Sequence, residues 1–337
     1  MEVVWVVGGV NNVLTFSRKS FFEKLRDEKT SSVASLITPI LSSVSWAPMM
    51  DRLEWKHAVA AVAAGAAAAQ AYRLARAYWN ASSGPSRSRV LGVIPARYAS
   101  SRFPGKPLVP IAGVPMIVRT YEQAKQAKTL TRLVVATDDA RIKAACEAAG
   151  AEVVMTDSAI PNGTERCEKA MAALGETFDV VVNVQGDEPL IEPEIIDACV
   201  RALQASPDAV YSTPVTPFAN KSEVTSASRV KCVADARGYA MYFSRGMIPG
   251  NKHGVPDPRH EYLLHLGLQV YDAAFLKVYS RLPATPCQLQ EDLEQLKVLE
   301  HGYKMKTVKV AHAAHGVDEP ADVASIEAIL ARQDARA

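Results

Sequence analysis

The chain has 337 residues, 22% of them charged and 48% hydrophobic, with a formal net charge of +2. Residues 1–89 carry eleven Lys/Arg against six Asp/Glu, whereas residues 90–337 carry 27 against 30. A slightly acidic C-terminal region excludes a basic face built for nucleic acid, so any anionic partner should be small. Cys146, Cys167, Cys199, Cys232 and Cys287 are odd in number and lack a CxxC, which suggests neither a disulfide framework nor a zinc site.

The first 89 residues read as a leader. Met1 to Met50 is rich in Ser, Val and Thr, shows no clear period and lacks the layout of a secretory signal at its start. Ala58 to Tyr72 is free of charge but covers only about 22 Å as a helix, short of the roughly 30 Å hydrocarbon core. Extending the helix over 56–79 puts Trp55 and Trp79 near both interfaces and leaves Arg73 and Arg76 to snorkel. A membrane anchor is therefore expected there, with an alanine-rich soluble helix or an organelle-targeting segment as alternatives. Residues 80–89 read as a flexible basic linker.

Residues 90–337 suffice for one catalytic domain. Strands are expected over Val90–Ile94, Arg132–Ala136, Val180–Val184, Ala209–Thr213, Val230–Ala234, Leu266–Tyr271 and Met305–Val310. Helical periodicity falls on Met116–Ala127, Ala140–Ala149, Glu165–Leu174, Glu192–Gln204, Asp292–His301 and Ala321–Ala331. The β-α alternation predicts an α/β fold with a mostly parallel sheet flanked by helices, and ligands bind such sheets outside the carboxyl ends of the strands.

Motifs sit at those ends. After Val90–Ile94 comes Pro95-Ala96-Arg97-Tyr98-Ala99-Ser100-Ser101-Arg102-Phe103-Pro104-Gly105-Lys106-Pro107, where two arginines and a lysine among small residues and prolines suit a polyanionic triphosphate. The apolar run Val180–Val184 stops at Gln185-Gly186-Asp187. An aspartate facing a triphosphate loop could hold magnesium, and it could equally cap a turn. Asp138 and Asp139 end another strand, where capping of the next helix is the simpler role. Asn162-Gly163-Thr164-Glu165-Arg166 opens a helix whose N–H groups and arginine could read a base or a phosphate, though capping would explain Thr164 equally well.

Together with Tyr242-Phe243-Ser244-Arg245, His265-Leu266-Gly267, Leu293-Glu294-Gln295-Leu296-Lys297 and Gly316-Val317-Asp318, these motifs resemble the 3-deoxy-manno-octulosonate cytidylyltransferases over essentially all of residues 90–335. The resemblance implies a Rossmann-like nucleotidyltransferase fold with a smaller subregion for dimerisation and sugar binding, and a homodimer. It implies transfer of CMP from CTP to the acidic sugar Kdo with release of pyrophosphate, assisted by Mg2+. By motif, Pro95, Ala96, Arg97, Ser100, Arg102, Lys106, Gly163, Thr164, Arg166 and Gln185 would bind CTP. Asp187 and Asp318 would hold the metal. Arg245, His265, Gln269, Glu294 and Gln295 would line the Kdo site, and Arg97, Lys106, Asp187 and Asp318 would carry the catalysis.

Two departures stand out. Gln269 occupies a position where bacterial members usually have tyrosine, and Glu319 replaces a usual threonine after Asp318. The leader and Gln269 resemble plant members, which implies membrane placement by the N-terminal helix, foremost at the mitochondrial outer membrane, with cytosol, chloroplast and endomembrane as alternatives. Two other functions stay open: a different sugar nucleotidylyltransferase such as CMP-sialate synthetase, and a non-catalytic, membrane-tethered nucleotide sensor.

Overall fold

The computed structural model describes residues 5–7, 14–16, 87–99, 103–312, 316–317 and 319–334. The chain divides into two units, residues 1–77 and 78–337. In the first, the described backbone is an antiparallel pair, β1 (Trp5–Val7) with β2 (Leu14–Phe16). The expected anchor over 56–79 lies outside the described residues. No helix among the described residues is long and apolar enough to cross a membrane.

The second unit is built around β3 (Val90–Ala96), in which only Pro95 escapes full burial. Branched apolar side chains suit a pleated strand covered on both faces, and such burial marks the middle of a parallel sheet. Around it stand β6 (Arg132–Thr137), β7 (Glu152–Met155) and β8 (Val180–Val184), all parallel, in the order β7-β6-β3-β8. A small hairpin, β4 (Pro110–Ile111) with β5 (Val114–Pro115), stands apart from this sheet.

Beyond β8 the sheet becomes mixed. β13 (Leu268–Asp272) inserts antiparallel between β8 and β9 (Ala209–Pro217), and β14 (Lys304–Lys309) lies parallel on the other edge of β9. The far half of β9 pairs with β12 (Leu263–His265), which continues through β10 (Lys231–Ala234) to β11 (Ala240–Ser244) as an antiparallel arm. The strand expected over Leu266–Tyr271 is β13, which starts two residues later, after a break that separates it from the unexpected β12. At the break the Leu268 N–H turns back to the Leu266 carbonyl, and the chain leaves β9's far end to slot in beside β8.

Helices cover both faces. α1 (Met116–Ala124), α2 (Ala140–Ala148) and α4 (Pro193–Gln204) pack Ile117, Ile142 and Ile196 against Ile94 and Val182. On the opposite face, α3 (Gly163–Ala173), α5 (Ala273–Tyr279) and α7 (Glu294–Glu300) pack Cys167, Leu276 and Leu296 against Leu91 and Val181. Each such aliphatic side chain, fully buried, contributes about 1.5–3 kcal/mol. α5 and the short α6 (Pro286–Glu291) are too brief for periodicity to reveal; Asp272 starts α5 by accepting from the N–H groups of Ala274 and Phe275. α8 (Pro320–Asp334) closes the chain.

The last residues of the expected linker are not loose. Arg87, with its side chain 8% exposed, donates to the Asp272 carboxylate at 3.0 Å and to the carbonyls of Leu203, Ser206 and Ala209. All of these lie at the end of the sheet where β3 begins.

Candidate active site

At the opposite end, where β3 and β8 finish, a cleft of about 340 Å³ opens between Ala96-Arg97, Lys106-Pro107, the Ile160–Gly163 turn and Gln185–Asp187. Two tight approaches build its floor. Gly186 lies where a Cβ would meet the Pro95 carbonyl and Ile117 at 3.1 Å, so the chain leaving β8 closes directly onto β3. Gly105, at φ 71°, takes the left-handed turn that aims Lys106 inward. The Lys106 Nζ then reaches the Asp187 carboxylate at 2.6 Å, with the lysine side chain 13% exposed and the aspartate 36%.

The first turn of α3 forms the facing wall. Its cap is Asn162, whose side-chain oxygen accepts from the Glu165 N–H at 2.8 Å. Gly163 lines the cleft, and the helix's unpaired N–H groups with their partial positive charge suit an anion there. Arg166 lines it too, its guanidinium buried and steered by Thr156 Oγ1 at 2.5 Å and Asp138 Oδ2 at 3.4 Å. Asp139, one residue on, caps α2 through the N–H groups of Arg141 and Ile142, and the Arg141 fork bonded to its carboxylate holds its pKa down at about 2. Of the two aspartates ending β6, only Asp139 is the cap.

Thr164 does not cap the helix. It is fully buried, and its hydroxyl donates to Glu294 Oε2 at 2.5 Å. Glu294 also lines the cleft, and burial pushes its carboxyl pKa up. Tyr271 Oη lies 3.1 Å from Thr164 Oγ1 and donates to Gln269 Oε1 at 3.1 Å, which also accepts from Asn183 Nδ2 at 2.8 Å. This chain of polar groups lies beneath the cleft, on the sheet face covered by α3 and α7.

His265 is enclosed by Thr213, Gln295 and the Phe243 ring 4.8 Å away. Thr213 Oγ1 gives its proton to the Leu268 carbonyl, so it accepts from His265 Nε2 at 2.8 Å; Gln295 Nε2 donates to Nδ1 at 3.4 Å. The neighbours thus select the neutral Nε2–H form, and burial pushes the pKa down to about 4.

The other sequence-derived residues fall unevenly. Gln185 lines the cleft; Gln269 and Gln295 are buried behind it. Arg245 is not among the residues lining it: its guanidinium donates to the carbonyls of Glu291, Ala227 and Asp292, tying the end of β11 to the segment that leads into α7. Ser100, Arg102 and Asp318 lie outside the described residues. The Val317 N–H bonds the Asp187 carbonyl at 2.9 Å, however, which brings the backbone preceding Asp318 against Asp187. A carboxylate already paired with a cation, beside phosphate-sized space, is a hard-oxygen donor that fits a magnesium-type ion.

A cytidylyltransferase family model matches residues 91–307. A protein of Arabidopsis thaliana named 3-deoxy-manno-octulosonate cytidylyltransferase, mitochondrial, is 60% identical over 76% of this chain and 88% of its own length. One of Zea mays with the same enzyme name is 58% identical over 72% and 82%. The chain belongs to the cytidylyltransferase family, in the 3-deoxy-manno-octulosonate group. A solved CMP:2-keto-3-deoxy-manno-octonic acid synthetase in complex with CTP agrees in fold, with a TM-score of 0.69 and 36% identity over 73% of this chain and all of that one.

Within this cytidylyltransferase frame, sequence reasoning missed the groups that hold the site from behind. Asn183 had a visible signal, being one amide in the otherwise apolar strand Val180–Val184. Tyr271 and Thr213 had none, because their roles depend on contacts between elements distant in sequence, and Asp138, visible at a strand end, reads as a cap in the sequence but steers Arg166. The cysteines serve packing: Cys146, Cys167, Cys199 and Cys232 are buried free thiols, and burial pushes Cys146 up to about 11 and Cys232 to about 12.

Proposed function

We propose that the chain transfers CMP from CTP to 3-deoxy-manno-octulosonate, forming CMP-Kdo and pyrophosphate. The Lys106–Asp187 pair at the joint mouth of β3 and β8, facing the N-terminus of α3, carries this reading. The sugar's anomeric hydroxyl attacks the α-phosphorus in line as the bond to the β-phosphate bridge breaks; the hydroxyl proton is lost and pyrophosphate leaves. Arg97 and Lys106 bind the triphosphate and oppose the charge that grows on the leaving oxygens, while the protein's other task is alignment. Ser100 and Arg102 belong to the same loop and share this role. Asp187 and Asp318 would hold Mg2+, which when bound supplies charge neutralisation at the phosphates.

Gln185, the Gly163–Thr164 turn and Arg166 orient cytosine and ribose from the α3 side. Glu294 faces the sugar from the other wall, with Gln295, His265 and Gln269 setting its surroundings. Arg245 acts on the sugar side by fixing the segment that carries Glu294.

The test is the full chain with CTP, Mg2+ and Kdo, monitored for pyrophosphate. Release with Kdo is expected; release only with sialic acid or a sugar phosphate, or CTP binding without turnover, would replace the assignment. For localisation we propose mitochondrial placement, which the name of the Arabidopsis relative supports, through a membrane anchor at residues 56–79, which rests on the sequence pattern. A fluorescent fusion that stays diffuse with residues 1–89 intact would defeat it. A homodimer is proposed as well, and light scattering on the purified chain would reveal a monomer if that is wrong.

A further inference from the structure

Arg141 lies on α2, outside the cleft lining, yet it touches the base of the loop that supplies two of the cleft's cations, Arg97 and Lys106. Its Cζ sits 3.4 Å from the centroid of the Tyr98 ring. Its fork is held by Asp139, Nε to Oδ1 at 3.0 Å and Nη2 to Oδ2 at 2.6 Å, and Asp139 is itself fixed as the cap of α2. The guanidinium is therefore a rigid plate laid on an aromatic face.

Tyr98 in turn closes the loop. Its carbonyl accepts from the Gly105 N–H at 3.0 Å. The phenol end of its ring lies where a Cβ on Gly105 would come within 3.1 Å. Arg97 directly precedes Tyr98, and Lys106 directly follows Gly105. The Tyr98–Gly105 closure thus sets the spacing of Arg97 and Lys106, both of which line the cleft.

From this geometry we infer that Arg141 is a positioning residue for the nucleotide: by holding Tyr98 flat it fixes the separation of Arg97 and Lys106 and so the affinity for the triphosphate. The inference rests on the CTP half of the function proposed above and not on the sugar. Arg141 itself is mostly exposed and pairs with a carboxylate two residues away, an arrangement that contributes little to global stability. Its loss should therefore appear in nucleotide binding and not in unfolding.

The experiment uses the full chain with Mg2+. Titration calorimetry with CTP, without Kdo, is followed by steady-state kinetics with both substrates. Arg141→Ala should raise the Kd and KM for CTP about three- to tenfold, leave the KM for Kdo within about twofold and leave the Tm within about a degree. Tyr98→Phe, which keeps the ring, should bind CTP as the wild type does. Tyr98→Ala should weaken it at least as much as Arg141→Ala, and the double variant should be no worse than Tyr98→Ala alone.

Unchanged CTP affinity in Arg141→Ala would overturn the inference. So would a parallel rise in both KM values with a lowered Tm, or effects of the two alanine variants that simply multiply. A wild type that bound CTP without consuming Kdo would remove the sugar assignment alone, and the CTP titrations would still decide the role of Arg141.

Discussion

The two halves of the cleft are built on different physical principles. The half we propose for the nucleotide is a set of charges at the ends of parallel strands: Arg97 exposed at the rim, Lys106 paired with Asp187, and the first turn of α3. The half we propose for the sugar is a set of polar groups on and behind the cleft wall, with Glu294 on Thr164, His265 between Thr213 and Gln295, and Gln269 between Asn183 and Tyr271. A triphosphate offers a large charge that exposed cations can grip wherever the backbone holds them. A sugar offers hydroxyls that water would satisfy equally well, so discrimination needs donors and acceptors already desolvated and oriented.

The sharpest way to break this contrast is to remove charge from the nucleotide half. Asp187→Asn keeps the shape but removes the negative charge that faces Lys106, and turnover should fall roughly a hundredfold to a thousandfold with the fold intact by circular dichroism. Chelation of divalent ions should abolish pyrophosphate release by the wild type and restore it on Mg2+ addition. Near-normal turnover in Asp187→Asn would mean that the strand-end charge is not the working part.

On the sugar side Glu294→Gln should raise the KM for Kdo about tenfold or more, with the KM for CTP within about twofold. Its effect on stability should be opposite in sense. Burial raises the Glu294 pKa above its ordinary 4.5, so the contribution of the protonated form is complete below 4.5 and is lost as pH rises through the raised value. The amide escapes that loss, and Glu294→Gln should be as stable as the wild type or more so at pH 7.5 in urea titrations. A less stable variant would show that ionised Glu294 supports the fold.

Gly105→Ala tests the backbone of the nucleotide half. A side chain at φ 71° and 3.1 Å from Tyr98 must displace the ring or the turn, so the KM for CTP should rise about fivefold while that for Kdo stays level. The smallest effect belongs to His265. Its pKa is held down at about 4 against an ordinary 6.5, so stability is complete above 6.5 and is lost as pH falls from 6.5 towards 4. His265→Gln should flatten that part of the stability profile; an unchanged profile would place the acid sensitivity elsewhere.

The same contrast explains what could be read from the chain. The Pro95–Pro107 loop and Gln185–Asp187 are contiguous stretches at strand ends, so the spacing of apolar runs and the charged residues after them located that half directly. Val180–Val184 is legible to the residue because complete burial leaves a run that is apolar but for Asn183. The sugar half is assembled from β9, β12, β13, α3 and α7, and no local pattern announces that Thr164 will meet Glu294 130 positions later. The short α5 and α6 and the break between β12 and β13 escaped for a related reason: a turn or a cap decided them, and period did not. Arg245, named through resemblance as a sugar-site residue, donates to three backbone carbonyls, contacts that its motif alone does not announce.

The Arg87 clasp bears on how the catalytic unit would withstand traction. A pull on the chain from its N-terminal side would meet the bonds from Arg87 to Asp272, Leu203, Ser206 and Ala209 before it met β3. Those bonds act like the strain relief on a cable. Load would be shed into the rim formed by α4, β9 and β13 at the closed end of the sheet, and the strand whose far tip carries Arg97 would stay slack.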